Sequence, residues 1–206
     1  MPPIIPEMRE ITRQVPADAF DAEYIIGEVC MEVDHLTSSN PQLFNDISFE
    51  LHRGEILGIA GLAGSHSHEF VESILGNSLK SSGSIYVTGK NKLNTPSGNT
   101  LNNNYSESDR QKIILSSWFT ISSDILVINE PTKGIEAGSE NEIYAIMAKL
   151  AKQGKAIIMI TDKTSELTAM SHRLLVICGG KLKATLDREN INRETIMRYA
   201  KQSGNL

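Results

Sequence analysis

Residues 124–142, DILVINEPTKGIEAGSENE, carry the strongest architectural signal in the chain. Ile125 to Ile128 is a short apolar, β-branched run, the composition of a strand buried on both faces of a parallel sheet. It stops at Asn129-Glu130-Pro131, so a carboxamide and a carboxylate stand where the chain leaves the core. The carboxyl end of a buried strand is where α/β proteins place nucleotide chemistry. Ser139-x-x-Glu142 then has the form of a capping box. Ile143, Ile146, Met147 and Leu150 recur at the spacing of a core-facing helix that stops near Gly154.

Outward from this stretch the same alternation continues. Upstream, Gly54 to Gly61 reads as a buried strand entering a loop. Phe70, Val71, Ile74 and Leu75 fall on one helical face closed by Gly76. Before them, Val29 to Val33 and Phe44 to Leu51 look like two strands joined by the turn-rich TSSNPQ, and Gly83 to Thr88 suggests another. Downstream, Ala156 to Ile160 is a buried strand. Leu174 to Cys178, Gly179-Gly180 and Lys181 to Leu186 form a hairpin pattern, and a last helix runs from Arg193 to Tyr199. Strand and helix in alternation predict an α/β fold: a mainly parallel sheet, helices on both faces and a small antiparallel β region. Residues 1–24 read as a linker or flexible N-terminus. The Asn-rich stretch 89–105 reads as an exposed loop. Ser106-x-x-Asp109 can cap a helix running towards Trp118, whose indole is read as packing.

Composition narrows the function classes. The 206 residues suffice for one substantial domain, and 40% apolar with 22% charged residues is ordinary for a globular protein. A net charge of −5 without a basic cluster argues against nucleic acid as a partner. Lys181, Lys183, Arg188, Arg193 and Arg198 are interleaved with acids and read as a solvated face. No run reaches membrane-spanning length and the N-terminus lacks the order of a signal peptide, so a cytoplasmic protein is expected. Cys30 and Cys178 read as buried, reduced thiols, and Met147, Met159 and Met170 as core fillers.

Between the Gly54–Gly61 strand and the next helix a phosphate loop would read G-x-x-x-x-G-K-[ST]. Its N–H groups cradle phosphate, its Lys reaches the oxygens and its hydroxyl binds magnesium. This chain has Gly61-Leu62-Ala63-Gly64-Ser65-His66-Ser67-His68. His66 stands at the second glycine, Ser67 at the lysine and His68 at the Ser/Thr. The first change brings a side chain where backbone must approach phosphate, and the second removes the fixed positive charge. An imidazole replaces a hard oxygen ligand at the third. Losing one preorganised donor costs roughly 2.7–4 kcal/mol in catalysis. The H-x-H spacing of His66 and His68 has no third ligand nearby, so no metal site is assigned.

On these motifs the chain resembles ATP-binding-cassette (ABC) ATPases, most closely the second cassette of ribose, galactose or xylose importers. The family's Walker B run is four apolar residues followed by Asp-Glu-Pro-Thr-x-Gly-Ile-Asp; here Asn129 takes the place of the first Asp and Glu136 of the later one. GEILGIAGLAG, residues 54–64, is similar to the family's lead into the phosphate loop. Tyr105 to Lys112 occupies the signature position and keeps Ser106, Gln111 and Lys112, with Glu107 and Asp109 adding negative charge. Thr161-Asp162-Lys163 aligns with the switch region, although Asp162 and Lys163 by themselves read as a turn. Ser165 to Leu167 and Met170 to Leu182 resemble the closing segment. The interval Gly76 to Tyr105 is too short for the glutamine-bearing loop and helical subdomain.

The resemblance implies a RecA-like P-loop NTPase core over residues 25–200, with 89–105 replacing the helical subdomain and 201–206 as a tail. It implies an ATP site with Mg at Gly61, Gly64, Ser65, His66, Ser67, His68 and Asn129, with Ser106 and Gln111 as the signature remnant. Glu130 would be the general base of an ATPase. Its other reading is a strand-end carboxylate left without a substrate, which the uncharged Asn129 favours. The implied function is an ATPase subunit of a sugar importer, impaired or inactive in hydrolysis, acting as a non-catalytic partner or remnant. The alternatives are a weak nucleotide-binding ATPase energising carbohydrate import and a protein-interaction scaffold. The implied partners are an intact ABC ATPase or a second copy, and a membrane permease at the inner face of the cell membrane.

Overall fold

Uninterrupted apolar strands need cover on both faces, and a five-stranded central sheet obtains it here. The computed structural model describes residues 26–62, 65–76, 80–88, 122–133 and 140–201. The central sheet contains β3 (Ile56–Ala60), β5 (Ile125–Asn129), β6 (Ala156–Thr161), β7 (Arg173–Cys178) and β8 (Lys181–Asp187), in the order β5-β6-β3-β7-β8. All neighbours are parallel except the β7–β8 hairpin. A second sheet, in the order β2-β1-β4, joins β1 (Val29–Ser38), β2 (Ile47–His52) and β4 (Lys80–Val87) in antiparallel fashion. The helices are α1 (Ser67–Ile74), α2 (Glu140–Lys152), α3 (Thr164–Met170) and α4 (Arg193–Ala200).

Successive side chains on a strand point to opposite faces, so each central strand feeds two cores. Leu57, Ile59, Val127, Ile158 and Leu175 pack with the inner face of the antiparallel sheet and with Phe70, Val71 and Ile74 of α1. Ile56, Leu126, Ile157, Met159 and Leu174 pack with Ile143 and Met147 of α2, Leu167 and Met170 of α3, and Ile196 of α4. Helices therefore cover both faces, as the alternation of the sequence requires. Cys30 and Cys178 are both buried and form no disulfide, and burial pushes Cys30 up to about 11. Among the described residues no helix is long and apolar enough to cross a membrane.

Several boundaries move. β1 continues past Val33 to Ser38, β2 begins at Ile47 after Phe44, and β4 starts before Gly83 at Lys80. Asp162 and Lys163 form a bend, but a helix the sequence did not announce, α3, starts directly after them. Nor is the basic C-terminal set wholly solvated. Arg188 donates to the carbonyls of Thr168 and Ser171, 3.1 Å for the latter, and so neutralises the carboxyl end of α3. The stretches 1–24, 89–105 and 202–206, the cap at Ser139 and the segment from Ser106 to Trp118 lie outside the described residues.

A buried charge pair joins the two sheets. Glu55, at the start of β3, is fully buried. It accepts hydrogen bonds from Arg173 Nη1 at 2.9 Å, from the His52 N–H at 2.8 Å, and meets His52 Nδ1 at 3.0 Å.

Candidate functional site

The carboxyl ends of β3, β5 and β6 lie side by side because β6 pairs with both β3 and β5. Gly61, just past β3, donates its N–H to Thr161 O at 2.8 Å. A Cβ at this position would come within 3.2 Å of the Thr161 carbonyl, so the close approach of two backbones favours glycine. Ser65 N–H closes a turn on Leu62 O at 2.9 Å. His66 then adopts φ 54, ψ 25, the left-handed region, immediately before α1. Histidine is one of the residue types that tolerates this conformation. The position that a phosphate loop gives to glycine thus keeps a glycine-like backbone while carrying an imidazole. Gly64 lies outside the described residues.

The side chains of this loop bond to one another. Ser65 Oγ and Ser67 Oγ are 3.0 Å apart, and Ser67 N–H approaches Ser65 Oγ at 3.3 Å. Both serines are buried. His66 Nδ1 lies 3.6 Å from Glu69 Oε1. His68, exposed on the first turn of α1, has its Nδ1 3.3 Å from Asn129 Nδ2 at the end of β5. The carboxamide NH2 is placed to donate to the ring lone pair at Nδ1. The loop and the strand end singled out in the sequence are brought together, through an imidazole and a carboxamide already bonded to each other.

Glu130 follows with φ 49, its N–H donating to Ile160 O at 2.8 Å and its carbonyl accepting from Lys133 N–H at 3.0 Å. Partial burial and then the neighbouring Asp162 charge hold its carboxyl above the ordinary value, against the pull of Lys133 and the Asp162 N–H.

A second polar group beside this turn was not anticipated. Thr132 donates its hydroxyl to the carboxylate of the buried Glu166 on α3, and Tyr144 OH reaches the same oxygen at 3.4 Å. Lys163 Nζ donates to Thr132 Oγ1 at 2.8 Å and to Glu140 Oε1 at 3.1 Å, and lies 3.8 Å from Glu166. Partial desolvation opposes the Lys163 charge, but the bond to Glu140 and the carboxylates of Glu166, Glu140 and Glu130 outweigh it and raise its pKa. Burial, and then the Glu166 and Glu140 charges, raise the Tyr144 phenol. The network ties the turn after β5 to α2 and α3. Its sequence signal was slight, a Lys and a Glu three apart at a helix start. Ser106 and Gln111 lie outside the described residues. Among the described residues no group of three His, Cys, Asp or Glu side chains is placed to hold a metal ion.

No protein-family model matches the chain. It is 34% identical over 259 residues to the galactose/methyl galactoside import ATP-binding protein MglA of Clostridium tetani, a match that covers 93% of this chain and 51% of that protein. With the ribose import ATP-binding protein RbsA of the same organism it shares 32% identity over 241 residues, 84% of this chain and 47% of the relative. The chain therefore spans about half the length of the curated relatives it matches. Among solved structures, an ATP-binding subunit of an ABC transporter superposes with a TM-score of 0.68 at 15% identity, covering 84% of this chain and 95% of that one. A dimeric ATP-binding cassette in a post-hydrolysis state with ADP and phosphate superposes with a TM-score of 0.63 at 11% identity, covering 77% and 98%. Central parallel sheet, flanking antiparallel sheet and sequence relatives agree: the chain is an ABC ATPase-like domain homologous to the sugar-import ATP-binding proteins.

Proposed function

We propose that this chain is a sugar-importer ATP-binding-cassette domain that does not hydrolyse ATP and serves as the non-catalytic partner of an intact ABC ATPase at the cytoplasmic face of a permease. The contact between His68 and Asn129 carries this reading. Magnesium takes hard oxygen ligands, and at the two positions where the resemblance puts a hydroxyl and a carboxylate the chain offers an imidazole nitrogen and an amide bonded to each other at 3.3 Å. The ion does not fit these residues. Ser67, at the lysine position, supplies no charge, and its N–H turns to Ser65. The matched stretch of 259 residues against a chain of 206 supports a domain without the helical subdomain.

Thermal unfolding with millimolar Mg-ATP tests this, since a ligand at 100 times its Kd stabilises the native state by about 2.7 kcal/mol. The expected result is an unchanged melting temperature for the natural chain and a regained shift for the double variant Ser67→Lys, His66→Gly. Turnover of ATP by the natural chain, abolished by Glu130→Gln, would refute the proposal. A second reading, a weak nucleotide-binding protein, is favoured by the left-handed backbone at His66, a conformation that a glycine at that position of a phosphate loop can adopt. A melting shift without turnover would establish it instead.

A further inference from the structure

Near its end β1 carries a histidine between two carboxylates, one its neighbour on the strand and one in the β1–β2 connection. His35 Nδ1 lies 2.5 Å from Asp46 Oδ1, and His35 Nε2 lies 3.6 Å from Asp34 Oδ1. A neutral imidazole has one N–H and can satisfy only one of these acids; its other nitrogen then turns a lone pair on a carboxylate. Only the imidazolium donates to Asp46 and at the same time turns an N–H and a positive charge towards Asp34. The backbone is built to hold this arrangement. His35 and Asp46 both adopt positive φ, 48 and 58. The register of β1 shifts against β2 between Val33 and Leu36 and against β4 between Asp34 and Thr37, so His35 sits in a bulge on both edges. The β4 residue packed against the bulge is a glycine, Gly83, where a Cβ would lie 2.5 Å from His35 O.

We propose that His35, Asp34 and Asp46 form a proton-dependent clasp that fastens the β1–β2 connection when the imidazole is charged and loosens it when the imidazole is neutral. Among the described residues the other groups facing His35 do not titrate: β2 brings Ser48, whose Oγ accepts the His35 N–H at 2.8 Å, and β4 brings Gly83 and, opposite Asp34, Ser84. The hydrogen bond to Asp46, then the charges of Asp34 and Asp46, raise the His35 pKa, so the clasp stays closed to higher pH than an isolated imidazole would keep its charge. Two attachments follow Asp46 in the chain of cause. Asn45 N–H donates to Gly180 O at 2.7 Å in the β7–β8 turn. Phe44 stands edge-on to Phe70 of α1, ring centroids 5.5 Å apart. Deprotonating His35 therefore loosens the backbone next to Asn45, while Phe44, fully buried, holds its place in the core.

Nuclear magnetic resonance on the full chain tests this, with the His35 ring titrated and amide-exchange protection factors measured for Asn45 and Ser38 across pH 5.5–8.5. The expected result is a His35 pKa above the ordinary value that returns towards it in Asp46→Asn and in Asp34→Asn. Protection of Asn45 should fall about two- to fivefold as pH rises past that pKa, the scale of an exposed ion pair. His35→Asn, which keeps a residue type tolerant of positive φ, should make the protection independent of pH. An ordinary His35 pKa in the natural chain, flat Asn45 protection, or a pH dependence that survives in both Asp46→Asn and His35→Asn would overturn the proposal.

Discussion

His172 lies between α3 and β7, buried, with Nδ1 accepting the Ile56 N–H at 2.9 Å across the sheet. Protonation of Nδ1 removes that acceptor and adds a cation to a desolvated site. Burial, and then the Arg188 charge, lower its pKa from 6.5 to about 4. The unfolded chain binds this proton near pH 6.5 and the folded one only near pH 4. The contribution to stability is therefore complete above 6.5 and lost as the pH falls through that window. A shift of about 2.5 units amounts to about 3 kcal/mol in total, of which about 2 kcal/mol is gone by pH 5. Against a typical domain stability of about 5–15 kcal/mol, that is readily measured. Urea unfolding at pH 7 and pH 5 is the assay, on the natural chain and on His172→Gln, which has an acceptor oxygen but does not titrate. The natural chain should lose about 2 kcal/mol more than the variant between the two pH values at unchanged urea slope. Parallel losses in both would refute a buried, neutral His172.

Two further outcomes follow from named contacts. Glu55→Ala removes the carboxylate partner of the partly buried Arg173 guanidinium, which keeps the Glu50 carbonyl at 3.3 Å, and the side-chain acceptor of the His52 N–H, and breaking such a pair by removing one member costs roughly 3–5 kcal/mol; chemical denaturation should show it, and a loss below about 1 kcal/mol would contradict the buried placement of Glu55. His66→Val puts a β-branched residue at φ 54, where L-residues other than glycine pay about 1–2 kcal/mol and branched ones most; the melting temperature should drop, and His66→Gly should not lower it.

The central strands were legible because both of their faces are buried. Ile125–Ile128 and Ala156–Ile160 are apolar without alternation, a pattern with few other solutions at that length. β1 was read short because its polar end, Asp34 to Ser38, is held by cross-strand pairing and a bulge that composition does not encode. α3 was missed for a related reason. Its seven residues include a buried Glu166, and its placement comes from Leu167 and Met170 packing under the sheet and from Arg188 bound to its final carbonyls. At the candidate site, the loop 61–68 and the strand end at Asn129 could be located by position in the alternation. What they do to each other could not: the His68–Asn129 contact spans 61 residues and the Lys163–Thr132 bond spans 31. Such pairs are specified by the sheet order, which places β5 and β3 on either side of β6.

β3 lies in the middle of the central sheet, yet it is the first of its strands to be made. Ile56 pairs with Ile157 and Leu57 with Arg173, so its hydrogen-bonding partners leave the ribosome about a hundred residues later, on the order of 5–20 s at ordinary synthesis rates. Throughout that delay a fully apolar strand has neither edge satisfied. A nascent chain of this design depends on shielding by a chaperone, or on early collapse of α1 against it, and premature termination before residue 156 would release an aggregation-prone fragment.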